Sequence, residues 1–239
     1  MTDSIIRAGT VLVAGVVIAA GSGCGLISSD VTNFDLTLPE KQFTIDADGW
    51  QVDAQQADVL LSTSCAGAPD VCASAASLAC QEGCSGSCNA TTQQCELALD
   101  VSLYRSIDLL TEKPELKSID DEPLIKVTID SVTYEITGNT LNVDTPALTV
   151  YVAPTSVMDP ADPQATPIGT IEPVPAGILV TPKDLTFTPT GRADLIAAMN
   201  NFHTPFNVIV GSTLVIRDGT PVPMGKLDAV VRIEAHAGL

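Results

Sequence analysis

The sequence has few basic and few aromatic residues. Its 239 residues include 11 Lys and Arg against 29 Asp and Glu, which gives a net charge of −18, and aromatic residues make up 4% of the chain. A phosphate backbone needs a basic face, so this charge excludes nucleic acid as a partner. Only two His and one Trp are available for acid–base catalysis or ligand stacking. Apolar residues reach 45%, too high a share for a disordered acidic tail.

Catalytic motifs are also missing. The sequence has no nucleophile elbow, P-loop, dinucleotide fingerprint or H-E-x-x-H motif. His203 falls at the end of a predicted helix, where it favours the helix dipole, and His236 is predicted to be solvated near the C-terminus. We therefore predict a protein that is not an enzyme, with no catalytic residue, no metal and no cofactor. One alternative stays open, a hydrolase in which two acidic residues lie about 5–9 Å apart in a cleft.

Several acidic and aromatic residues have more than one interpretation. Asp46, Asp48 and Asp53 surround Gly49 and offer oxygens to Ca²⁺, but the later bidentate Glu of an EF-hand loop is missing, so we predict a turn that ends a strand. Residues 120–122, Asp-Asp-Glu, are predicted to form a solvated loop. The single Trp50 is predicted to anchor the core or its rim rather than stack on a ligand.

Residues 1–23 have the features of an export signal. An apolar run over residues 11–20 follows Arg7 and precedes the small residues Gly21, Ser22 and Gly23. The apolar run is shorter than the ~20 residues that span a bilayer, and no basic cluster follows it. This disfavours a transmembrane anchor, so we predict a signal peptide.

The segment Gly21-Ser22-Gly23-Cys24 resembles the lipobox of bacterial lipoproteins, except that Gly21 stands where the pattern prefers an aliphatic residue. The resemblance implies cleavage before Cys24, lipid on the Cys24 thiol and a lipidated tether over residues 24–30. It also implies the outer membrane, because Gly25 rather than Asp follows the cysteine. Ordinary signal-peptidase cleavage near the same place is the alternative. The predicted location is thus the cell envelope, with the protein attached to the membrane through its N-terminal lipid.

The other six cysteines lie together and form an even set. In an exported protein they predict three disulfides, and the sequence leaves all 15 pairings open. Zinc is the alternative, but the segment lacks C-x2-C pairs and His. Asp70 is a candidate cap for a helix from Val71 to Glu82, which Gly83 would close. The six residues are Cys65, Cys72, Cys80, Cys84, Cys88 and Cys95.

Strand patterns dominate the rest of the chain. Apolar residues alternate with polar ones at period two in several short runs. Because such runs flank the cysteines, residues 64–96 are predicted to be an insertion within one domain over 31–239. One helix is predicted over 191–203, with Thr190 as cap and an apolar stripe. The alternating runs include Phe34 to Leu38, Phe43 to Ile45, Leu97 to Leu103, Val127 to Ile136, Leu148 to Val152, Phe206 to Ile216 and Leu227 to Ile233. The stripe is Leu195, Ile196 and Met199.

These elements predict a mainly β fold, an antiparallel immunoglobulin-like β-sandwich with one short helix near the C-terminus and a small disulfide-rich insertion. The order of strands, a Pro175-Ala176-Gly177 turn and a helix over residues 125–216 resembles the LEA14/WHy type of immunoglobulin-like sandwich, found in bacterial and plant desiccation-related proteins. Residues 139–142, Asn-Thr-Leu-Asn, stand near the place of that group's Asn-Pro-Asn. The resemblance implies a fold and assigns no functional residue.

The sequence as a whole favours an exported, lipid-anchored envelope protein that acts as a non-catalytic binding or structural module. Its expected partners are the membrane, through the N-terminal lipid, and another protein of the envelope. A stress-protective envelope protein is the alternative that the LEA14-like resemblance implies, and the paired-carboxylate hydrolase is a further one.

Overall fold

The computed structural model describes residues 33–119 and 126–238. In these residues the chain forms two antiparallel sheets that enclose a common core, which confirms the predicted mainly β sandwich. In chain order the strands are β1 (Asn33–Asp35), β2 (Lys41–Asp46), β3 (Cys84–Cys88), β4 (Cys95–Ile107), β5 (Lys126–Asn139), β6 (Leu148–Pro154), β7 (Thr166–Ile171), β8 (Val180–Asp184), β9 (Thr186–Phe187), β10 (Phe206–Ile216) and β11 (Lys226–Gly238). The α-helices are α1 (Ala54–Leu61), α2 (Val71–Ala79), α3 (Leu109–Glu112) and α4 (Gly191–Asn200).

Each sheet is organised around one long strand late in the chain. In the first sheet, β11 pairs with β5 on one side and with both β1 and β2 on the other, and β8 lies beyond β5. The second sheet has the order β3-β4-β10-β6-β7-β9. Its central strand β10 has the bounds predicted from the sequence, and it pairs with β4 along its whole length.

The core lies between the two sheets and follows the period-two pattern of the strands. Leu97 and Leu99 of β4 are fully buried, and Val210 of β10 points into the same interior. Phe43 and Leu227 face them from the first sheet. Because successive strand side chains point to opposite faces, the intervening residues of β4 and β10 lie on the outer face of the second sheet.

The helix predicted near the C-terminus is present and ends earlier than expected. α4 stops at Asn200 instead of His203, because the chain turns there and Pro205, which cannot continue a helix, follows. Leu195 and Met199 are fully buried, as the apolar stripe predicts. Thr190 occupies the cap position, but its side chain makes no capping hydrogen bond.

Two short helices, α1 and α3, were not predicted. Asp53 caps α1 by accepting a hydrogen bond from the backbone N–H of Gln56, and Asp108 caps α3 through Thr111 in the same way. Each helix is too short to show a helical period in the sequence. The capping residues Asp53 and Asp108 were the signal in the sequence for the starts of these helices.

The cysteine segment continues the second sheet instead of forming a core of its own. Its strand β3 pairs with β4, and α2 packs so closely on β3 that a Cβ at Gly86 would collide with the carbonyl oxygen of Cys72. Cys72, Ala76 and Ala79 belong to the main core of the sandwich. The small side chains of this segment thus allow the close approach of helix and strand.

Helix α2 also departs from its predicted limits. It ends at Ala79 rather than Glu82, because the backbone is already extended at Cys80, which forms a disulfide with Cys84 at the start of β3. Asp70 stands at the cap position, but its side chain makes no capping hydrogen bond. Gly83 has a φ of +63° and forms the turn into β3.

Candidate functional site

A groove lies on the outer face of the second sheet, where β4, β10 and β6 run side by side. Its volume is about 600 Å³. The register places Ser102 of β4 opposite Gly211 of β10, which in turn faces Thr149 of β6. Because outward positions alternate along each strand, Asp100 and Thr213 follow on the same face. The groove is lined by Gly83, Asp100, Val101, Ser102, Thr149, Tyr151, Met158, Asp159, Pro160, Ala161, Gly211, Ser212 and Thr213.

A loop from β6 to β7, residues 155–165, folds over this outer face and is held by Asn207. Asn207 is 1% exposed, and its side-chain amide donates to the carbonyl oxygens of Thr155 (3.2 Å) and Val157 (2.8 Å). Val157 also packs with Ile209 and Ala153 in a small second core outside the sheet. Buried amides of this kind fix a single backbone conformation, because each lost hydrogen bond leaves a buried group without a partner.

The loop approaches the sheet most closely at Gly211. A Cβ at this position would lie 2.5 Å from the Cβ of Pro160. The hydroxyl of Ser102 donates to the carbonyl oxygen of Met158 over 3.1 Å and attaches the next part of the loop. Glycine at 211 is therefore required by the loop that borders the groove.

We expect Asn207→Ala to lower the free energy of unfolding by about 2 kcal/mol, because it removes the donor from the buried carbonyl group of Val157 and from the partly buried one of Thr155. The loop should exchange its amide hydrogens faster, and hydrogen exchange at residues 155–159 measures this. Asn142→Ala is a matched control, since that amide donates to Val222 in a different turn. Faster exchange of the 155–159 amides in the control as well would contradict a local effect of Asn207.

Gly83 and Trp50 support the groove at Asp100. The backbone N–H of Asp100 donates to Gly83 (2.7 Å), and the indole Nε1 of Trp50 donates to the carbonyl oxygen of Asp100 (2.8 Å). Trp50 is 7% exposed, so the prediction of a core or rim anchor is confirmed. The peptide groups on both sides of the Asp100 side chain are thereby fixed.

Acceptor groups dominate the groove. No Lys, Arg or His is among the described residues that line it, whereas Asp100 and Asp159 are. The hydroxyls of Ser102 and Ser212 donate to backbone carbonyl oxygens, and that of Thr213 lies 3.4 Å from Asp100. Their hydrogens are used within the protein, which leaves oxygen lone pairs and carboxylates for a ligand. Such a lining is suited to a cation or to a ligand rich in hydrogen-bond donors.

Neither histidine lines this groove. His236 lies on β11, and its Nδ1 is 3.0 Å from both carboxylate oxygens of Asp130. Both side chains are about half exposed, so His236 is accessible, as predicted, but also has an ionic partner that the sequence did not suggest. His203 lies outside α4, which corrects its predicted place at the helix end, and its ring centroid is 4.0 Å from that of Phe202.

The acidic residues considered for calcium form a turn and a helix cap, as the turn interpretation predicts. Asp46 accepts a hydrogen bond from the backbone of Asp48 and forms an ion pair with Lys226 (2.6 Å). The hydrogen bond from Lys226 lowers the pKa of the Asp46 carboxyl. Asp53 caps α1. The carboxylates of Asp46 and Asp53 thus have partners within the protein.

The six clustered cysteines pair with one another, one arrangement among the 15 that the sequence allowed. Cys65 pairs with Cys88 and Cys72 with Cys95, each across 23 residues, and the third pair spans four. The sulfurs of Cys65, Cys72 and Cys95 lie within 4.8 Å of one another. Their disulfides leave no thiolate for zinc, so the disulfide interpretation is the one the structure supports. The third pair is Cys80–Cys84.

Glu96 connects the cysteine segment to the end of β10. It accepts hydrogen bonds from the side chains of Asn89 and Arg217. Burial of the carboxyl opposes its ionisation, but these two hydrogen bonds outweigh it, and the pKa of Glu96 lies below the ordinary value of 4.5.

Glu96→Gln should therefore destabilise the protein in a pH-dependent way. A lowered carboxyl pKa contributes stability above about pH 4.5, and this contribution is lost as the pH falls through the folded-state pKa. We expect a loss of about 1 kcal/mol at pH 7 and a smaller loss at pH 3, measured as the shift of the urea midpoint. A shift of equal size at both pH values would contradict the role of the charged carboxylate.

Three predicted features lie outside the described residues: the signal peptide, the lipidated tether over residues 24–30 with its lipobox cysteine Cys24, and the acidic segment 120–122. Across residues 33–119 and 126–238, no helix has the length and apolar content needed to cross a bilayer. The chain matches no protein-family model, no curated protein and no solved structure.

Proposed function

We propose that the protein is exported and lipid-anchored through Cys24, and that it is a non-catalytic module of the cell envelope that binds a cationic or donor-rich component in the groove beside Asp100 and Asp159. The observation that carries the binding part is a groove lined by two carboxylates and, among the described residues, by no Lys, Arg or His. An ammonium or guanidinium group is attracted to two carboxylates, while Met158 and Tyr151 offer apolar contact to the stem that bears it.

The cysteine pairing supports the anchor. Six of the seven cysteines partner one another, so Cys24 is not needed by any of the three disulfides. An odd cysteine directly after a signal-like segment is the residue that the lipoprotein resemblance would acylate. A single acyl chain binds membranes weakly, and stable attachment takes more than one.

Mass spectrometry of the mature N-terminus tests the anchor. We expect a peptide that begins at Cys24 and carries acyl mass, and we expect Cys24→Ser to release the protein from the membrane fraction. A mature chain that begins near residue 22–24 with a free amine and no acyl mass would contradict the proposal.

Titration calorimetry with a Lys-rich peptide tests the groove. Asp100→Asn combined with Asp159→Asn should weaken binding about tenfold at low salt, because both carboxylates are removed. Asp184→Asn is the control, since it removes one negative charge from an exposed strand outside the groove. Weakening of about threefold by this single change, half the expected effect of the double variant in free energy, would mean that the peptide responds to net charge alone.

A hydrolase is the second candidate, because Asp100 and Asp159 line the same groove. Two carboxyl groups across a sugar are the arrangement that glycoside hydrolysis uses. Release of product from chromogenic glycosides, lost in the double Asn variant and kept in Asp184→Asn, would replace the binding proposal by this one. The stress-protective alternative stays a prediction, and unchanged survival of drying in a strain without the protein would remove it.

A further inference from the structure

We propose that the Cys80–Cys84 disulfide is a site of reversible thiol–disulfide exchange, which a small dithiol opens while the other two disulfides stay closed. The inference does not depend on what the groove beside Asp100 binds. It rests on three differences among the disulfides: access from solvent, the length of chain that each one closes, and the contacts that hold the neighbouring elements.

Access favours Cys80–Cys84. A separate groove of about 280 Å³ lies between α2 and β3 and is lined by both of these cysteines, with small side chains such as Ala73 and Ser85 around them. Cys84 is partly exposed, whereas Cys72 and Cys95 are 0% and 1% exposed. A thiolate must approach a disulfide sulfur directly, so the pair at the groove reacts first.

The remaining disulfide, Cys65–Cys88, differs in another way. In exposure it resembles Cys80–Cys84: Cys88 and Cys84 are both partly exposed, and their partners Cys65 (2%) and Cys80 (3%) both lie in the main core. Cys65–Cys88, however, closes a segment of 23 residues, compared with four for Cys80–Cys84. A cross-link over a longer segment removes more chain entropy from the unfolded state, so its loss costs more stability.

The elements joined by Cys80–Cys84 keep other connections when this bond opens. β3 stays paired with β4 from Cys84↔Leu99 to Cys88↔Cys95. Cys72, in the first turn of α2, stays bonded to β4 through Cys95. The bond can therefore open without unfolding the segment.

The exchange is a two-electron reduction by the dithiol. One of its thiolates attacks the Sγ of Cys84, the S–S bond breaks, and the electron pair leaves on the sulfur of Cys80, which takes up a proton. The second thiol of the reductant then attacks the mixed disulfide and releases Cys84 as a thiol. The products are two protein thiols and the oxidised, disulfide form of the reductant, and an excess of that product drives the reverse reaction.

Trp50 gives the reaction an optical signal. Gly83 lies inside the loop that Cys80–Cys84 closes, and a Cβ on it would be 3.7 Å from Cδ1 of the indole. Opening the disulfide relaxes this turn and admits water to the indole. Since Trp50 is the one tryptophan of the chain, a red shift of the emission reports this place alone.

The test titrates the purified full chain with dithiothreitol, traps free thiols by alkylation and maps them by mass spectrometry. At half-reduction of Cys80–Cys84 we expect at least tenfold less alkylation at the other four cysteines, a red shift of Trp50 over the same range, and reversal by oxidised dithiothreitol. Reduction of all three disulfides together, or of either other disulfide first, would overturn the proposal. Selective reduction with unchanged emission would overturn the link to the Gly83 turn.

A double variant, Cys80→Ser with Cys84→Ser, is the control. It should show no alkylation and no emission change over the dithiothreitol range that reduces Cys80–Cys84 in the native chain. An emission change that persists in the variant would assign the signal to another disulfide and contradict the proposal. The mapping on the native chain decides the order of reduction without any variant.

Discussion

Replacing both Cys72 and Cys95 by alanine should lower the free energy of unfolding by about 3–4 kcal/mol. The disulfide closes a segment of 23 residues and joins α2 to β4, with Cα atoms 5.3 Å apart. Both residues belong to the main core, so the two smaller alanine side chains also leave a small void between helix and strand. Urea unfolding at pH 7, followed by circular dichroism, measures the loss.

The matched control for this change is Cys80→Ala with Cys84→Ala. That disulfide spans four residues, so its removal should cost clearly less stability, although the number of substitutions is the same. An equal loss in the two double variants would show that chain entropy and core burial do not set the contribution of these bonds. A larger loss in the control would contradict the argument from segment length and burial.

Lys41→Met should lower the free energy of unfolding by about 3 kcal/mol. Lys41 at the start of β2 forms an ion pair with Glu112 at the end of α3, and the two side chains are only 13% and 14% exposed. The other carboxylate oxygen of Glu112 has no hydrogen-bond partner within the described part of the chain. Removing the Lys41 ammonium leaves the largely buried Glu112 carboxylate without a partner charge. We expect a loss of stability at the lower end of the range for broken buried pairs, because some solvent reaches both groups.

Lys183→Met is the control for Lys41→Met. Lys183 pairs with Glu172 over 3.1 Å, but these side chains are 53% and 65% exposed. Exposed pairs contribute between zero and about 1 kcal/mol, so this variant should unfold close to the native midpoint. Similar losses for the two lysines would contradict the burial argument, and Glu112→Gln combined with Lys41→Met should recover part of the stability.

The strands of the sandwich were predictable because burial on one face leaves a period-two pattern in the sequence. β10 was predicted with its observed bounds, and the apolar alternation of Leu97 to Leu103 falls within β4. The helix ends were less predictable. α4 was predicted three residues too long, because the turn at Asn201 depends on local hydrogen bonds and on Pro205 rather than on the period of the apolar residues.

The candidate site was not predictable in the same way. Asp100, Thr149 and Thr213 are far apart in the chain, and they meet because β10 pairs with β4 on one side and β6 on the other. Asp159 precedes Pro160 in the loop of residues 155–165, and the sequence did not indicate that this loop folds back onto the sheet. One signal was available: Asn207 interrupts the apolar run of β10 and proves to hold that loop.

Composition and local pattern were enough to predict an acidic, strand-rich protein with six cysteines in one segment. These properties depend on composition and on local periodicity, which are present in any stretch of the chain. The tertiary structure alone decided which cysteines pair, which outward residues share a groove and which turn covers Trp50. Those are contacts between distant residues, and strand order and register, not local pattern, bring such residues together. The scarcity of basic residues has a structural consequence that also depends on the fold. Two of the many carboxylates lie in one groove, and no basic side chain is among the described residues that line it.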